Sequence, residues 1–334
     1  MGVRRLTHWL RGTRSWRRIQ RRRQRTPLVV LEYHAWHGYA ISVLEPHALP
    51  LRLRPGEAAE RVLIGVPECA RAVVMHVDAS TTDGFIADPP ALWDALRHRG
   101  VRVLNACATD IRKSVLHARC EALGVATART TRDGAPDERV IVKTNLNSAG
   151  EPERVLARLS TIGRRFAHEL HPEMTDASHY RICRRDEVAD TEWANPTLVV
   201  ERFISNPDGR YFRVHTIGRA TCVAEIWNTF DIKKGTAGVV RRVNHFYWTT
   251  GARTDPVGSS HETAARAAYL VRRVHAAMGI DYGASDCVMD DRTGALVVVD
   301  VNKTPGAGSM AKRPDILAHL RRGFDDLLAR PESN

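Results

Sequence analysis

The sequence predicts an α/β protein built from more than one lobe, on three observations. Between residues 61 and 106, apolar runs of strand length alternate with a helical segment. Between 197 and 227, three strand-like runs follow one another across short polar turns, the pattern of an antiparallel meander. The 334 residues, 43 % of them hydrophobic, also supply more apolar material than one compact core takes.

In chain order, residues 1–26 (MGVRRLTHWLRGTRSWRRIQRRRQRT) hold ten Arg and no acid, and taking them from the net charge of +12 leaves +2 for the rest. They suit a basic helix with Trp9 and Trp16, seven apart, on one face, and the charge density calls for an anionic partner. From PLVVLEYHAW (27–36) the composition turns globular. RVLIGV (61–66) and RAVVMHVDA (71–79) read as strands, PPALWDALRHRG (89–100) as a helix stopped by Gly100, and VRVLNA (101–106) as the next strand. TDIRKSVLHARCEALG (109–124) is expected to be a helix capped by Thr109, with Asp110 in its first turn and Gly124 at its end.

RVIVKTN (139–145) reads as a strand, and residues 152–170 as mostly helix, before an irregular region through Asn195. TLVVERFI (197–204), RYFRVHTIG (210–218) and ATCVAEIW (220–227) form the meander. The polar segment 228–260 is expected to be loops with some strand. HETAARAAYLVRRVHAAMG (261–279) is a long amphipathic helix, ASDCVMD (284–290) and ALVVVDV (295–301) make a hairpin around DRTG, and DILAHLRRGFDDLLARP closes as a helix.

Composition excludes several classes. No run of about 18 apolar residues reads as a membrane span, and the arginine-rich start lacks the apolar stretch of a signal peptide. The six cysteines, Cys69, Cys107, Cys120, Cys183, Cys222 and Cys287, are scattered without a Cys-x-x-Cys pair, which argues against a zinc site or disulfide scaffold and for a cytosolic protein. Neither Gly-x-Gly-x-x-Gly, a P-loop, nor a Gly-x-Ser-x-Gly elbow occurs. His34 and His37 flank Trp36 without an apparent third metal ligand, which favours a local structural or substrate role.

The stretch VVVDVNKTPGAG (297–308) places Asp300 and Asn302 on one face of a strand otherwise made of valines. Val299 and Val301 are expected on the other face, and the hairpin can bring Asp286 beside Asp300 if the register holds. Carboxylates in a buried sheet need either an arginine partner or a hard cation such as Mg2+, and both remain open here. Asp290 and Asp291 sit at the turn and suit solvation or turn formation.

Only six of the 50 basic residues are lysines, so a lysine in an apolar run stands out. Lys143 follows Val140-Ile141-Val142 and suits either a phosphate contact or an edge-strand guard. Lys113 is open between the same phosphates and a plain surface position. Arg213 shares a strand face with Tyr211 and His215, where a guanidinium can hold a phosphoryl group or acyl phosphate. Arg242 and Asn244 can do related work, although Arg241 is as plausible a surface group as its neighbour. Glu201 and Phe203 suit either a purine slot or an ordinary strand end with a core aromatic.

The order of these features resembles the ATP-grasp superfamily, in particular the carboxylate–amine ligases that include glutathione synthetase and the ribosomal-protein glutamate ligases. GIDYGASDCVMDDRTGALVVVDVNKTPG (279–306) looks like the family's metal-binding hairpin, with Asp at 300 where the family more often has Glu. VLNACATDIRKSVLHARCEALGV (103–125) and VIVKTNLNSAG (140–150) resemble the segments bearing the two ATP-binding lysines. The family's usual Asp-Lys pair is spread as Asp110 and Lys113, and the phosphate-covering loop has only Gly150. VVERFI and FRVHTIG resemble the adenine linker and the following arginine strand.

The resemblance implies an ATP-grasp architecture: an N-terminal α/β lobe over 27–108, a lid subdomain over 109–200 and a C-terminal subdomain over 201–325, the last two enclosing the nucleotide. It implies that Lys113, Lys143, Glu201 and Phe203 bind ATP, that Asp286, Asp300 and Asn302 bind Mg2+ or Mn2+, and that Arg213, Arg242 and Asn244 act on the reacting groups. The implied reaction passes the terminal phosphoryl of ATP to a substrate carboxylate, and an amine then attacks the acyl phosphate. The partners are thus a carboxylate and an amine, an amino acid or peptide among them, with an acidic peptide or tRNA a candidate at residues 1–26. A phosphotransferase that stops after the first step, and a nucleic-acid or anionic-surface binder led by residues 1–26, are the competing functions. A homo-oligomer is left open.

Overall fold

The computed structural model describes residues 27–33, 39–159, 170–173, 179–207, 209–227, 241–250 and 259–329. The basic extension, His34, Trp36 and His37 lie outside them, as do residues 228–240.

Among the described residues, three sheets carry the fold. The first is parallel, in the order β2-β1-β3-β4, from β1 (Leu28–Glu32), β2 (Leu49–Arg52), β3 (Ala72–Met75) and β4 (Arg102–Leu104). Its links carry α1 (Ala40–Leu44), α2 (Ala59–Gly65) and α3 (Pro89–His98). A parallel sheet buried on both faces needs continuous apolar strands, and LVVL in β1 and AVVM in β3 supply them. Val29, Leu31, Val73 and Met75 pack on one side towards α2 and α3. Val30, Val74 and Leu104 pack on the other.

The segment RVLIGV, expected as a strand, is helix α2. Only Val62 and Val66, four apart, are fully buried, whereas Ile64 is 85 % exposed. The inward side chains thus follow a helical spacing, and the β-branched composition misleads. Strand β2 has no alternating signal because it contains Pro50, which an edge strand tolerates.

Helix α4 (Lys113–Ala122) starts four residues later than Thr109. Its first turn is capped from another segment: Lys113 N donates to Asn145 O at 3.0 Å and Ser114 N to Asn145 Oδ1 at 3.0 Å. Asp110 is engaged with Arg112, and Thr109 O accepts from Thr82 N across the lobes.

The second sheet is small and antiparallel, β6-β5-β7, from β5 (Arg139–Thr144), β6 (Arg181–Arg184) and β7 (Leu198–Arg202), with α5 (Glu151–Leu159) and the short α6 (Asp190–Trp193) between them. Val140, Val142, Val188, Leu198 and Val200 form its own core, so that β7, expected as the first strand of a meander with the next two strands, pairs with β5 instead. The subdomain boundary expected after residue 200 falls inside β7, and Leu116 and Cys120 of α4 pack into the core of the third sheet.

That third sheet is antiparallel, β10-β9-β8-β11-β12, from β8 (Arg210–Ile217), β9 (Ala220–Trp227), β10 (Arg241–Thr250), β11 (Tyr282–Met289) and β12 (Leu296–Asn302). One face, with Phe212, Val214, Val223, Cys287 and Val301, packs on α7 (Ser259–Ala277). On the other face Ile217, Ala220, Cys222 and Tyr282 meet α8 (Pro314–Ala329) and the underside of the first sheet. The remainder of that face carries the polar site. Among the described residues, no helix is long and apolar enough to cross a membrane.

Candidate functional site

The hairpin holds the expected register: Asp286 pairs with Asp300 and Ala284 with Asn302. Beyond that pair the ladder shifts, so that Cys287 faces Val298 and Val299 is the extra residue of a β-bulge. Val299 therefore packs beside Tyr211 and Val288 on the polar-site face rather than with Val301, which corrects the strict alternation expected from the sequence. The bulge lets Val298 stay in the core while Asp300 turns to the side of Asp286.

Strand β8 completes the row. Arg213 pairs with Asp286 and its Nη1 is 3.6 Å from Asp286 Oδ1. His215 pairs with Ala284 and Tyr211 with Val288, as alternation along β8 requires. Burial, helped by Arg213, pushes the His215 imidazole down to about 3, so it is neutral. Burial, with Asp286 adding to it, pushes the Tyr211 phenol up to about 12.

A second cluster forms on the small sheet. Lys143 Nζ lies 2.6 Å from Glu201 Oε2, and His117 Nε2 lies 3.2 Å from Glu201 Oε1. All three residues are buried. Burial alone would raise the Glu201 pKa, but Lys143 and His117 outweigh it and hold the carboxyl at about 2. Lys113, at the start of α4, donates from Nζ to Leu146 O, and burial brings its ammonium down to about 8 despite Glu201 and Glu153. Phe203 lies under Arg139, whose Cζ is 4.4 Å from the ring centroid, and its N–H donates to Arg139 O at 3.0 Å.

Between the clusters runs the turn 147–150, which together with α4 lies against β12. Ser148 (φ 47°) and Ala149 (φ 55°) adopt left-handed backbone ahead of Gly150 (φ 76°). The turn is tied to the first lobe: Asn147 N donates to Ser80 Oγ at 2.8 Å, and Ser80 N to Glu153 Oε1 at 2.6 Å. Burial raises the Glu153 pKa, against the Ser80 contacts.

The structure thus brings Asp286, Asp300, Asn302 and Arg213 together on one sheet, and Lys113, Lys143 and Glu201 around another. Arg242 and Asn244 lie on edge strand β10, four strands from β12, and their side chains fall outside the described residues. Asp290 takes the turn-forming role of the two expected for it, although fully buried: Oδ1 accepts from Arg292 N at 3.2 Å, and Oδ2 from Thr293 Oγ1 at 3.1 Å and from Arg202 Nη1 at 2.8 Å. Among the described residues no group of three or more His, Cys, Asp and Glu is placed to hold a metal ion. The hairpin set is two carboxylates and an amide.

Sequence reasoning assigned no role to His117, Lys303, Asp78, Asn145 or Glu153. His117 was within reach, because it follows Lys113 by four on one helix and so shares its face. Lys303 is almost fully buried, donates to Ala108 O at 3.3 Å, and is brought down to about 8 by burial despite Glu153 and three aspartates. Its only signal was the rarity of lysine in this chain.

No family model and no curated protein matches the chain. Among solved structures, it is similar to the D-alanine–D-alanine ligase from Bacillus anthracis complexed with ATP, at 13 % identity over 89 % of this chain and 94 % of that one (TM-score 0.45). It is similar to the ATP-grasp ligase PsnB complexed with a phosphomimetic variant of its minimal precursor, Mg and ADP, at 13 % identity over 90 % and 98 % (TM-score 0.48). It is also similar to a RimK domain ATP-grasp protein from Sphaerobacter thermophilus, at 12 % identity over 88 % and 98 % (TM-score 0.44). All three of these solved structures are ATP-grasp proteins or ligases, and the chain shares their mixed α/β make-up.

Proposed function

We propose that the chain is an ATP-dependent carboxylate–amine ligase of the ATP-grasp kind, forming an amide bond with release of ADP and phosphate. The observation that carries this reading is the pairing of Asp286 with Asp300 beside Arg213, on a hairpin whose second strand lies against the 147–150 turn and α4. Two carboxylates side by side and an amide oxygen form an all-oxygen donor set, which suits Mg2+ or Mn2+. Held by Asp286, Asp300 and Asn302, such an ion would supply positive charge against the nucleotide's phosphates.

The chain's own groups divide the remaining work. Lys113 and Lys143 bind phosphate oxygens, with Glu201 and His117 fixing the Lys143 ammonium in place. Phe203 and the backbone after β7 line the purine. Arg213 neutralises charge on the transferring phosphoryl or on the substrate carboxylate, and Arg242 and Asn244 act on the same groups. The carboxylate oxygen attacks the terminal phosphorus of ATP, the bond to ADP breaks, and an acyl phosphate forms. The amine nitrogen attacks the acyl carbon, the carbon–oxygen bond to phosphate breaks, and the nitrogen loses a proton. Positioning supplies much of the rate. The Arg-rich extension recruits the acidic partner.

The test is product analysis with ATP and Mg2+ over a panel of acids, amino acids, peptides and amines. A ligase gives ADP, phosphate and a condensed mass only when both substrates are present. A phosphorylated acid accumulating without any condensed product would establish the phosphotransferase instead.

A further inference from the structure

Asn302 can serve as a cation ligand only through its amide oxygen, and the surroundings of that oxygen are unusual. An amide oxygen has two lone pairs. One is used by the Thr304 N–H, at 2.7 Å. The Thr304 hydroxyl is also within reach of Asn302 Oδ1, at 3.1 Å, yet lies closer to Asp78 Oδ1, at 2.7 Å. A hydroxyl has a single hydrogen to give. The shorter, charge-assisted contact takes it.

Asp78 reaches the hairpin from the loop after β3, in a different lobe, and is fixed there. Its other oxygen accepts from Tyr39 OH at 2.6 Å. The Tyr39 segment is itself fastened to the hairpin's end by Ala40 N donating to Pro305 O at 2.8 Å and by a bridge between Tyr39 and Gly306. The first lobe thus presents a carboxylate to one hydroxyl at the end of β12.

We propose that Asp78 is a positioning residue that draws the Thr304 hydroxyl away from Asn302 Oδ1, leaving one lone pair of that oxygen for a divalent cation. Without Asp78, the hydroxyl turns to the amide oxygen already 3.1 Å away and fills it. Removing the hydroxyl as well empties that lone pair again. The inference rests on the reading of the hairpin as a cation site, and adds that the first lobe sets its competence.

The experiment is titration of the full chain with Mn2+ alone, following the free ion by electron paramagnetic resonance, with folding of each variant checked by circular dichroism. Asp78→Ala is expected to weaken Mn2+ binding about tenfold, the scale of losing a group that orients a metal ligand. Thr304→Val is expected to bind as the wild type does. The double variant Asp78→Ala/Thr304→Val is expected to recover the wild-type affinity, which a merely structural role for Asp78 does not give. Should Asp78→Ala not fold, Asp78→Asn offers a neutral and weaker acceptor in the same shape, and the same rescue by Thr304→Val is expected. Asp286→Ala/Asp300→Ala separates the two levels. If it binds Mn2+ as the wild type does, the cation site fails and the inference with it. If it loses binding while Asp78→Ala does not, or while the double variant stays as weak as Asp78→Ala, the role of Asp78 is overturned and the cation site stands.

Discussion

The two charged clusters solve opposite electrostatic problems. Around Glu201, a fully buried carboxylate is matched by the Lys143 ammonium at 2.6 Å and flanked by His117 at 3.2 Å. On the hairpin, two carboxylates stand abreast on neighbouring strands, with one guanidinium 3.6 Å from the nearer of them. The first cluster balances its charge from within. The second sets two like charges side by side, an arrangement of oxygens that suits a hard divalent cation. A carboxylate paired with an ammonium fixes that ammonium in place, whereas carboxylates set abreast offer their oxygens to a cation.

The largest effect separating the clusters is expected at Glu201. Glu201→Gln leaves the Lys143 ammonium buried beside a neutral group, and breaking a buried pair from one side costs about 3–5 kcal/mol. Urea unfolding at pH 7 reads this directly, and a loss under about 1 kcal/mol would mean that water reaches the pair. The pH dependence has a definite sign. Glu201 is held at about 2, below its ordinary 4.5, so its share of stability is complete above about pH 4.5 and disappears as the pH falls through 2. Two to three pKa units correspond to about 3 kcal/mol, and the Glu201→Gln protein should lack that part of the acid transition.

The hairpin should respond with the opposite sign. Asp300→Asn removes one of two like charges facing each other across a strand pair, and without divalent ions it is expected to stabilise the chain by up to about 1 kcal/mol. In the wild type, millimolar Mg2+ is expected to raise the melting temperature, because an ion that binds only the folded state stabilises it. In Asp300→Asn that response should largely vanish. A variant less stable than the wild type, with an intact response to Mg2+, would show that Asp300 serves the fold and not a cation.

The same contrast explains what the sequence could and could not reveal. The hairpin was legible because strand alternation, a four-residue turn and Pro-Gly after Asn302 are local signals, whereas its register, left open by them, is fixed by the pairing of Asp286 with Asp300. The bulge at Val299 was not legible, since a bulge depends on what both faces must bury. Arg213 was placed by the same alternation. The Lys143–Glu201 pair joins strands 58 positions apart in sequence, and nothing local announces that Ile141 faces Glu201. Asp78 and Asn145 act across lobes, one on Thr304 and the other as a helix cap, so no window along the chain contains both halves of either contact. RVLIGV failed for a different reason: its composition favours a strand, and tertiary packing of Val62 and Val66 overrides it.

The smallest effect lies in the turn between the clusters, where the scarcity of glycine shows in the backbone. Ala149 sits at φ 55°, ψ 22°, a left-handed conformation costing a residue with a side chain about 1–2 kcal/mol. Glycine there removes that cost but loses about 0.5–1 kcal/mol in the freedom of the unfolded chain. Ala149→Gly is therefore expected to stabilise the chain by about 0.5–1 kcal/mol in thermal or urea unfolding. Gly150→Ala should do the reverse, because φ is 76° and an added Cβ would lie 3.0 Å from Leu146 Cδ1 and Leu170 Cδ2. Both neighbouring positions thus favour glycine over alanine, the first through relief of its left-handed backbone and the second also through the space a methyl group would need. Should Ala149→Gly instead lose more than about 1 kcal/mol, packing of the Ala149 methyl outweighs its backbone strain, and the turn is held by contact, as the Glu201 cluster is, rather than kept under tension beside the hairpin.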